Sequence, residues 1–221
     1  KLERKCDKLV NIWGTDPHGY INRIKAVVAA LGYDPKEKLE IIIGQLVSLY
    51  RAGEPVKMSK RTGNVITLAE VVEEIGPDAA RFYLMMRGVD THLDFDLELA
   101  KKHSEENPVF YVQYAHARIC SILRKAKEEG LAISKRPQAV GIGLLTDPAE
   151  RALIRRLWDY PDEVALAAER REPHRIPQYL RELAQLLHSF YHQCRVISDD
   201  KQLSEARLAL VDASRIVLSN A

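Results

Sequence analysis

The sequence is poor in cysteine, in net charge and in long apolar runs. Its 221 residues include three cysteines, and 33 basic residues against 31 acidic ones leave a net charge of +2. Cys6, Cys120 and Cys194 are far apart, without the paired spacing of zinc ligands, which argues against a zinc site and favours reduced thiols. The small net charge excludes a general polycation, so any nucleic-acid site must come from local clustering. No apolar run has the length of a transmembrane helix and no signal peptide is evident, so we expect a cytoplasmic protein without a membrane partner.

The composition is that of a folded domain or two. Apolar residues make up 46% of the chain and charged residues 29%, which is enough apolar material for a packed core. The first residue is Lys1 rather than Met, and the opening charged residues resemble the end of a helix already under way. We therefore expect the chain to be a piece of a longer protein.

The first hundred residues mix strand and helix patterns. An apolar run at 9–13 predicts a buried strand, and helical spacing predicts a helix over 20–31. Apolar runs rich in β-branched residues at 39–44 and 46–50 predict two further strands. Strand, helix, strand is the order typical of an open nucleotide-binding sheet.

Helix signals dominate from residue 67 onward. Thr67 with Glu70 predicts a capped helix ending at Ile75, and Pro77 predicts the start of another. Beyond residue 100 the predicted helices follow one another without strands, and a Pro/Gly-containing linker covers about 130–147; the helices span 108–129, 148–160, 173–196 and 203–218. Pro161 should kink or break the second of these. The pattern predicts an α-helical bundle.

A K-M-S-K-R string at residues 57–61 follows the third predicted strand. Lys57 and Lys60 lie three residues apart on a Gly-flanked loop, and two ammonium groups on such a loop suit a polyphosphate. The alternative is a solvated basic turn, which is the common meaning of two nearby lysines.

The turn between the first strand and the first helix carries polar side chains. Asp16, His18 and Gly19 lie where nucleotides bind in doubly wound sheets, at the end of a strand and the start of a helix. The alternative is an ordinary turn in which Asp caps the helix.

The helix expected to begin at Pro108 has two different faces. Helical spacing places four residues on one face: Tyr111, Tyr114, Arg118 and Lys125. Aromatic rings beside a guanidinium can bind splayed single-stranded bases. The alternative is that both tyrosines are half-buried packing residues. His116 lies off this face, and His188, Tyr191 and His192 are treated as structural.

A second basic segment opens the next long helix. Arg170, Arg171 and Arg175 lie at its predicted N-terminus, which makes a local phosphate site.

Three segments together resemble the bacterial type of arginyl-tRNA synthetase. They are W-G-T-D-P-H-G-Y at 13–20, P-V-K-M-S-K-R-T-G-N at 55–64 and N-P-V-F-Y-V-Q-Y-A-H-A-R-I at 107–119. D-A-A-R at 78–81 is similar to the D-A-L-R box of this family's anticodon-binding domain. The K-M-S-K and D-A-L-R elements are shared with other class I synthetases, notably the cysteinyl one, whereas the first and third strings are more specific.

The resemblance implies a fold and a reaction. It implies the C-terminal half of a Rossmann-type α/β nucleotide-binding domain over 1–100, followed by an all-α anticodon-binding bundle of the DALR type over 101–221. The implied enzyme is an arginine–tRNA ligase, a monomer in which the arginine carboxylate attacks the α-phosphate of ATP and the arginyl group passes to tRNA(Arg). Mg²⁺ would accompany the ATP.

The resemblance also implies roles for individual residues. Lys57 and Lys60 would neutralise the leaving pyrophosphate, with Lys60 the more critical. The implied ATP contacts are Asp16, His18, Gly19, Met58 and Ser59. The implied anticodon contacts are Tyr111, Tyr114, Arg118, Lys125, Arg175 and Tyr179.

The sequence departs from the family pattern at several places. Pro17 replaces a histidine, Arg61 replaces the final Ser of the loop signature, and no H-I-G-H string or arginine-selecting Tyr/Asp helix is found. Because positioning supplies much of the catalytic rate, we expect this piece alone to be catalytically silent. Two alternatives stay open: a non-catalytic tRNA-binding paralogue, and another class I synthetase such as the cysteinyl one.

Overall fold

The computed structural model describes residues 2–4, 6–56, 66–131 and 141–221. The chain divides into two compact units: residues 1–71 with 87–98, and residues 72–86 with 99–221. The K-M-S-K loop, with Lys57, Met58, Ser59 and Lys60, lies outside the described residues.

The first unit contains the strand–helix–strand motif that the sequence predicts. Strand β1 (Leu9–Trp13) leads through a 3₁₀ turn into helix α1 (Ile21–Ala30), and β2 (Leu39–Ile43) follows the short helix α2 (Pro35–Lys38). β1 and β2 are parallel, with Leu9 opposite Leu39. The predicted strands at 9–13 and 39–44 and the predicted helix over 20–31 are confirmed.

β1 is not a buried strand, contrary to the prediction. Its residues alternate between half-buried and exposed, and Val10 is 43% exposed and Ile12 73% exposed. An apolar run indicates a strand but does not show whether both of its faces are covered.

A second small sheet contains two strands that the sequence did not indicate. The predicted strand at 46–50 is β3 (Val47–Arg51). It pairs in a hairpin with β4 (Glu54–Pro55) and runs parallel to β5 (Leu93–Asp96), the two strands that were not predicted. Gly53, at φ 82°, makes the tight turn possible, and its N–H donates to the Asp96 carboxylate at 2.9 Å. β5 was missed because four residues with two acidic members give little strand signal; Leu93 and Phe95 nevertheless bury their side chains.

The helices that follow residue 67 begin as the capping signals predict. Glu70 accepts hydrogen bonds from the backbone N–H and the hydroxyl of Thr67 at 2.6 and 2.9 Å, which lowers the pKa of its carboxyl group. α3 spans Leu68–Ile75, and α4 spans Pro77–Met85 with Pro77 in its first turn. The short α5 spans Leu97–Lys101.

The second unit is a helical bundle, as predicted. Its long helices are α6 (Pro108–Glu128), α7 (Pro148–Trp158), α8 (Tyr160–Arg170), α9 (Arg175–Gln193) and α10 (Lys201–Asn220). α9 packs against α6, α7 and α8, and α10 packs against α6 and α7. The fully buried side chains at their interfaces include Ile119, Leu153, Leu183, Phe190, Leu208 and Val211. No helix in the described ranges has the length and apolarity needed to cross a membrane.

Two details of the bundle differ from the sequence prediction. Residues 160–170 form helix α8, which was not predicted, because Pro161 lies in its first turn and not in a helix interior. α9 begins at Arg175, not at Pro173.

Candidate nucleic-acid interface

Asn107 fixes the start of α6. Its side-chain oxygen accepts from the Val109 N–H at 3.1 Å and from the Tyr83 hydroxyl at 3.3 Å. Its side-chain nitrogen donates to the carbonyl oxygens of Ala100 and Lys102 at 2.9 and 2.8 Å. Asn107 is 4% exposed, so this one amide caps α6 and holds the preceding turn against α4.

One side of α6 carries a group of rings that continues onto α9. The Phe110 and Tyr114 rings stack at 5.8 Å, and Tyr114 stacks on His188 of α9 at 6.1 Å. Tyr111 lies against the same imidazole at 4.9 Å. We define the aromatic face as Phe110, Tyr111, Tyr114, Arg118, His188 and Tyr191. The adjacent side of α6, about 100° around the helix, is buried through Val112, Ala115 and Ile119.

Arg118 lies between two rings of the aromatic face. Its guanidinium carbon is 4.1 Å from the Tyr191 ring centroid and 5.8 Å from that of Tyr114. No carboxylate of the described residues pairs with it. The rings therefore hold the cation in place while its N–H groups keep their capacity to donate to a phosphate or a base edge.

His188 is a half-buried member of the aromatic face. Its Nε2 atom is buried and has no hydrogen-bond partner among the described residues. Burial lowers the pKa of His188, and the nearby Arg118 charge lowers it further. Burial likewise raises the pKa of Tyr111. Both rings are therefore neutral near pH 7, which favours their packing beneath the more exposed Tyr114.

Lys125 lies two turns beyond Arg118 on α6. Its side chain is 69% exposed and its ammonium is 3.7 Å from the Glu129 carboxylate. An exposed pair of this kind contributes only about 0–1 kcal/mol, so Lys125 is available to a passing phosphate.

Tyr179 and Arg175 are placed differently from the aromatic face. Tyr179 is fully buried, its hydroxyl donates to the Arg156 carbonyl at 2.8 Å, and the Arg156 guanidinium lies 4.2 Å from its ring centroid. Burial raises the pKa of Tyr179 to about 12. The ring of Tyr179, an implied anticodon contact, is thus in contact with Arg156 and Tyr160 within the bundle. Arg175 pairs with Glu172 at 2.6 Å and with Glu163 at 3.7 Å, so its charge is largely used within the bundle.

The residues predicted to contact ATP do not form a describable site. Asp16, His18 and Gly19 are exposed on the 3₁₀ turn between β1 and α1. The other two predicted ATP contacts, Met58 and Ser59, lie outside the described residues, as do the predicted catalytic residues Lys57 and Lys60. Within the described ranges no group of three or more His, Cys, Asp and Glu side chains is arranged to hold a metal ion.

Three members of the aromatic face were not found from the sequence. Phe110, His188 and Tyr191 join the face because α6 and α9 pack side by side. The sequence holds one usable signal, the three-residue spacing of His188 and Tyr191 on one side of a helix, but that spacing is also typical of packing residues.

Comparison with known proteins assigns both parts of the chain to one class. Residues 29–97 match the family of tRNA synthetases class I (I, L, M and V), and residues 112–221 match the DALR anticodon binding domain. The matched families therefore place residues 29–97 with the class I tRNA synthetases and residues 112–221 with the DALR anticodon-binding domains.

Curated relatives and solved structures narrow this similarity to one member of the class. The chain is 59% identical to the arginine–tRNA ligase of Heliobacterium modesticaldum and 52% identical to that of Moorella thermoacetica, covering all of this chain in both cases. The structure of an arginyl-tRNA synthetase from Campylobacter jejuni matches 99% of this chain with a TM-score of 0.82 and 37% identity, and the match covers 47% of the Campylobacter chain. The structure of the Thermus thermophilus arginyl-tRNA synthetase matches 97% of this chain with a TM-score of 0.71 and 26% identity, and the match covers 39% of the Thermus chain.

This chain belongs to the arginyl-tRNA synthetase family and matches the C-terminal part of its members. It spans 39% of the length of the curated relatives it matches. These relatives favour the arginyl reading over the cysteinyl alternative.

Proposed function

We propose that this chain is the anticodon-binding part, together with the K-M-S-K loop, of an arginine–tRNA ligase. The observation that carries the tRNA-binding part of the proposal is Arg118, held by the rings of Tyr114 and Tyr191 with no carboxylate partner in the described part of the chain. Rings supply faces on which bases stack, and the guanidinium supplies donors for a phosphate or a base edge. Tyr114 is 41% exposed and Tyr191 37% exposed, so both can be reached by a loop of RNA.

The aromatic face can bind a base by stacking and discriminate among bases by hydrogen bonds to the base edge. Stacking on Tyr114 accepts any base, since every base has a π-face. Discrimination then rests on donors and acceptors that reach the edge of the stacked base, which Arg118 is placed to provide. Lys125, farther along α6, would hold the backbone of the same loop without reading its sequence.

The catalytic assignments are proposals that rest on family membership. Lys57 and Lys60 would neutralise charge that builds on pyrophosphate as the arginine carboxylate attacks the α-phosphate of ATP. Mg²⁺ would enter with the ATP phosphates, and Asp16, His18 and Gly19 would lie along the nucleotide. Met58 and Ser59 would support the loop. We further propose a domain boundary near residue 100, a monomer and a cytoplasmic location.

Binding to tRNA tests the anticodon proposal. A tRNA(Arg) transcript and a transcript altered only at the middle anticodon base are titrated with the chain at two salt concentrations. The double variant Tyr114→Ala/Arg118→Ala should lose the preference for the native anticodon. The matched control is Lys127→Ala, at an exposed position on the side of α6 opposite Arg118, and this variant should keep the preference. Equal, salt-sensitive binding of the unaltered chain to both transcripts would leave only phosphate contacts and would contradict the proposal.

Adenylate formation tests the loop assignment separately. In the full-length parent enzyme, Lys60→Ala should slow arginine-dependent pyrophosphate exchange far more than it weakens arginine binding. Unchanged exchange in that variant would remove Lys60 from the proposed mechanism.

A further inference from the structure

Helix α7 exposes an unusual set of side chains far from the aromatic face in sequence. Trp158 is 81% exposed, the highest value among the large apolar side chains described. Arg151 and Arg155 are exposed on the same helix. Spacings of four and three residues place all three side chains on one side of α7.

A cleft of about 410 Å³ is lined by Arg151 and Arg155 of this set. Its charged lining consists of Arg151, Arg155, Arg156 and the single acidic residue Asp159, and Leu186 of α9 adds an apolar wall. The lining thus has three guanidinium groups against one carboxylate, which makes it locally basic in a chain whose net charge is only +2.

The charges of the cleft are unequally engaged. Arg156 pairs with Glu182 at 2.9 Å, with Glu163 at 3.4 Å and with Asp159 at 3.9 Å, so the carboxylate of the cleft already has a partner. No carboxylate of the described residues pairs with Arg151 or Arg155. Two exposed cations therefore remain available to an anionic partner.

We propose that this surface, which we call the α7 face (Arg151, Arg155 and Trp158), is a second RNA contact of the bundle. It would take a single-stranded segment of the same tRNA, with phosphates on Arg151 and Arg155 and one base stacked on Trp158. An exposed indole beside unpaired arginines supplies the stacking surface and the phosphate partners that single-stranded nucleic acid requires. The inference rests on the proposed tRNA function but concerns a different helix, so the two can fail separately.

Tryptophan fluorescence tests the stacking step directly. The chain has two tryptophans, so Trp13→Phe leaves Trp158 as the single indole. Titration of this variant with the tRNA(Arg) transcript should quench the fluorescence of Trp158, and the quench should saturate together with binding measured by a label on the RNA. The reciprocal variant Trp158→Phe, which keeps only Trp13, should show little change.

Affinity measurements test the energetic contribution of the α7 face. Trp158→Leu should weaken tRNA binding about fivefold or more, whereas Trp158→Phe keeps a stacking ring and should lose less. Arg151→Gln/Arg155→Gln should make the negative slope of log K against log salt shallower by up to about 1.4, as expected for the loss of two phosphate contacts on a single strand. The control Lys127→Gln/Lys201→Gln removes two exposed cations elsewhere in the bundle and should leave more of this slope intact.

The outcomes separate the two proposals. Saturable tRNA binding without any quench of Trp158, and with the same affinity in the Trp158→Leu variant, would overturn the α7 face and leave the anticodon proposal standing. The α7 face would then be available to a protein segment and not to RNA. Quenching of Trp158 in a chain whose Tyr114→Ala/Arg118→Ala variant keeps full anticodon preference would overturn the aromatic face alone. Absence of tRNA binding would overturn both.

Discussion

The guanidinium carbon of Arg118 on α6 lies 4.1 Å from the centroid of the Tyr191 ring on α9. The pair lies at the surface and connects two helices of the bundle, so the position of the cation depends on a residue distant in sequence. This arrangement identifies Tyr191 as a positioning residue for Arg118.

Replacing Tyr191 should affect RNA binding more than stability. A cation–π contact at an exposed site contributes about 0.5–1 kcal/mol, so Tyr191→Leu should weaken tRNA binding roughly two- to fivefold. Tyr191→Phe keeps the ring and should bind almost as the parent does. Equal affinity of the Leu and Phe variants would show that the ring does not position Arg118.

Removing the Asn107 side chain should destabilise the bundle. Asn107→Ala deletes the cap of α6 and leaves the Val109 N–H and two backbone carbonyls without their partner in a buried place, at an expected cost of about 2–3 kcal/mol. Asp200→Ala removes an exposed cap, the acceptor of the Leu203 N–H, and should cost about 1 kcal/mol. Urea unfolding followed by far-UV circular dichroism compares the two variants. Similar midpoints would contradict the structural role assigned to Asn107.

The stability of the bundle should depend on Arg207, because Arg207 is the cationic partner of the buried Glu150 carboxylate. Glu150 is 1% exposed, accepts from Arg207 Nε at 2.7 Å and accepts from the Asp147 N–H at 2.9 Å. Arg207→Ala leaves this charge without its cationic partner and should cost about 3–5 kcal/mol. Glu150→Gln in the Arg207→Ala background should recover part of that loss. An Arg207→Ala variant as stable as the parent would rule out a stabilising ion pair.

Acidification should destabilise the bundle through His188. The pKa of His188 in the folded chain lies below its ordinary value, chiefly because of burial and then because of Arg118. The unfolded chain therefore takes up the proton first as the pH falls, and the stabilisation present above the ordinary histidine pKa is lost on acidification. The groups that face His188 are Glu105, Tyr111, Tyr114, Arg118 and His192.

His188→Gln isolates this effect. Its urea midpoint should fall less between pH 7.5 and pH 5.5 than that of the parent chain, whereas His116→Gln, a matched histidine change on α6, should keep the parental dependence. The same dependence in the parent and in His188→Gln would assign the pH response to other groups.

Local signals predicted most of the helices and three of the strands. The capping box of Thr67 and Glu70, the first-turn prolines Pro77 and Pro148, and the glycine after α6 act on neighbouring residues, so they can be read without the fold. β5 was missed because four residues of mixed polarity carry a weak strand signal. α8 was missed because Pro161 indicated a helix break, whereas it lies in the first turn of a new helix. Their stability comes from pairing and packing with distant parts of the chain.

The sequence by itself determined the family, the helical spacing of Tyr111, Tyr114 and Arg118, and the order of the elements, because motifs and periodicity are local properties. Only the tertiary structure decided which candidates remain exposed and which partners they meet. It buried Tyr179 beneath Arg156 and Tyr160, brought His188 and Tyr191 of α9 to Arg118, and left Trp158 in solvent. Burial and contact between distant residues depend on how the helices pack, and periodicity within one helix does not contain that information.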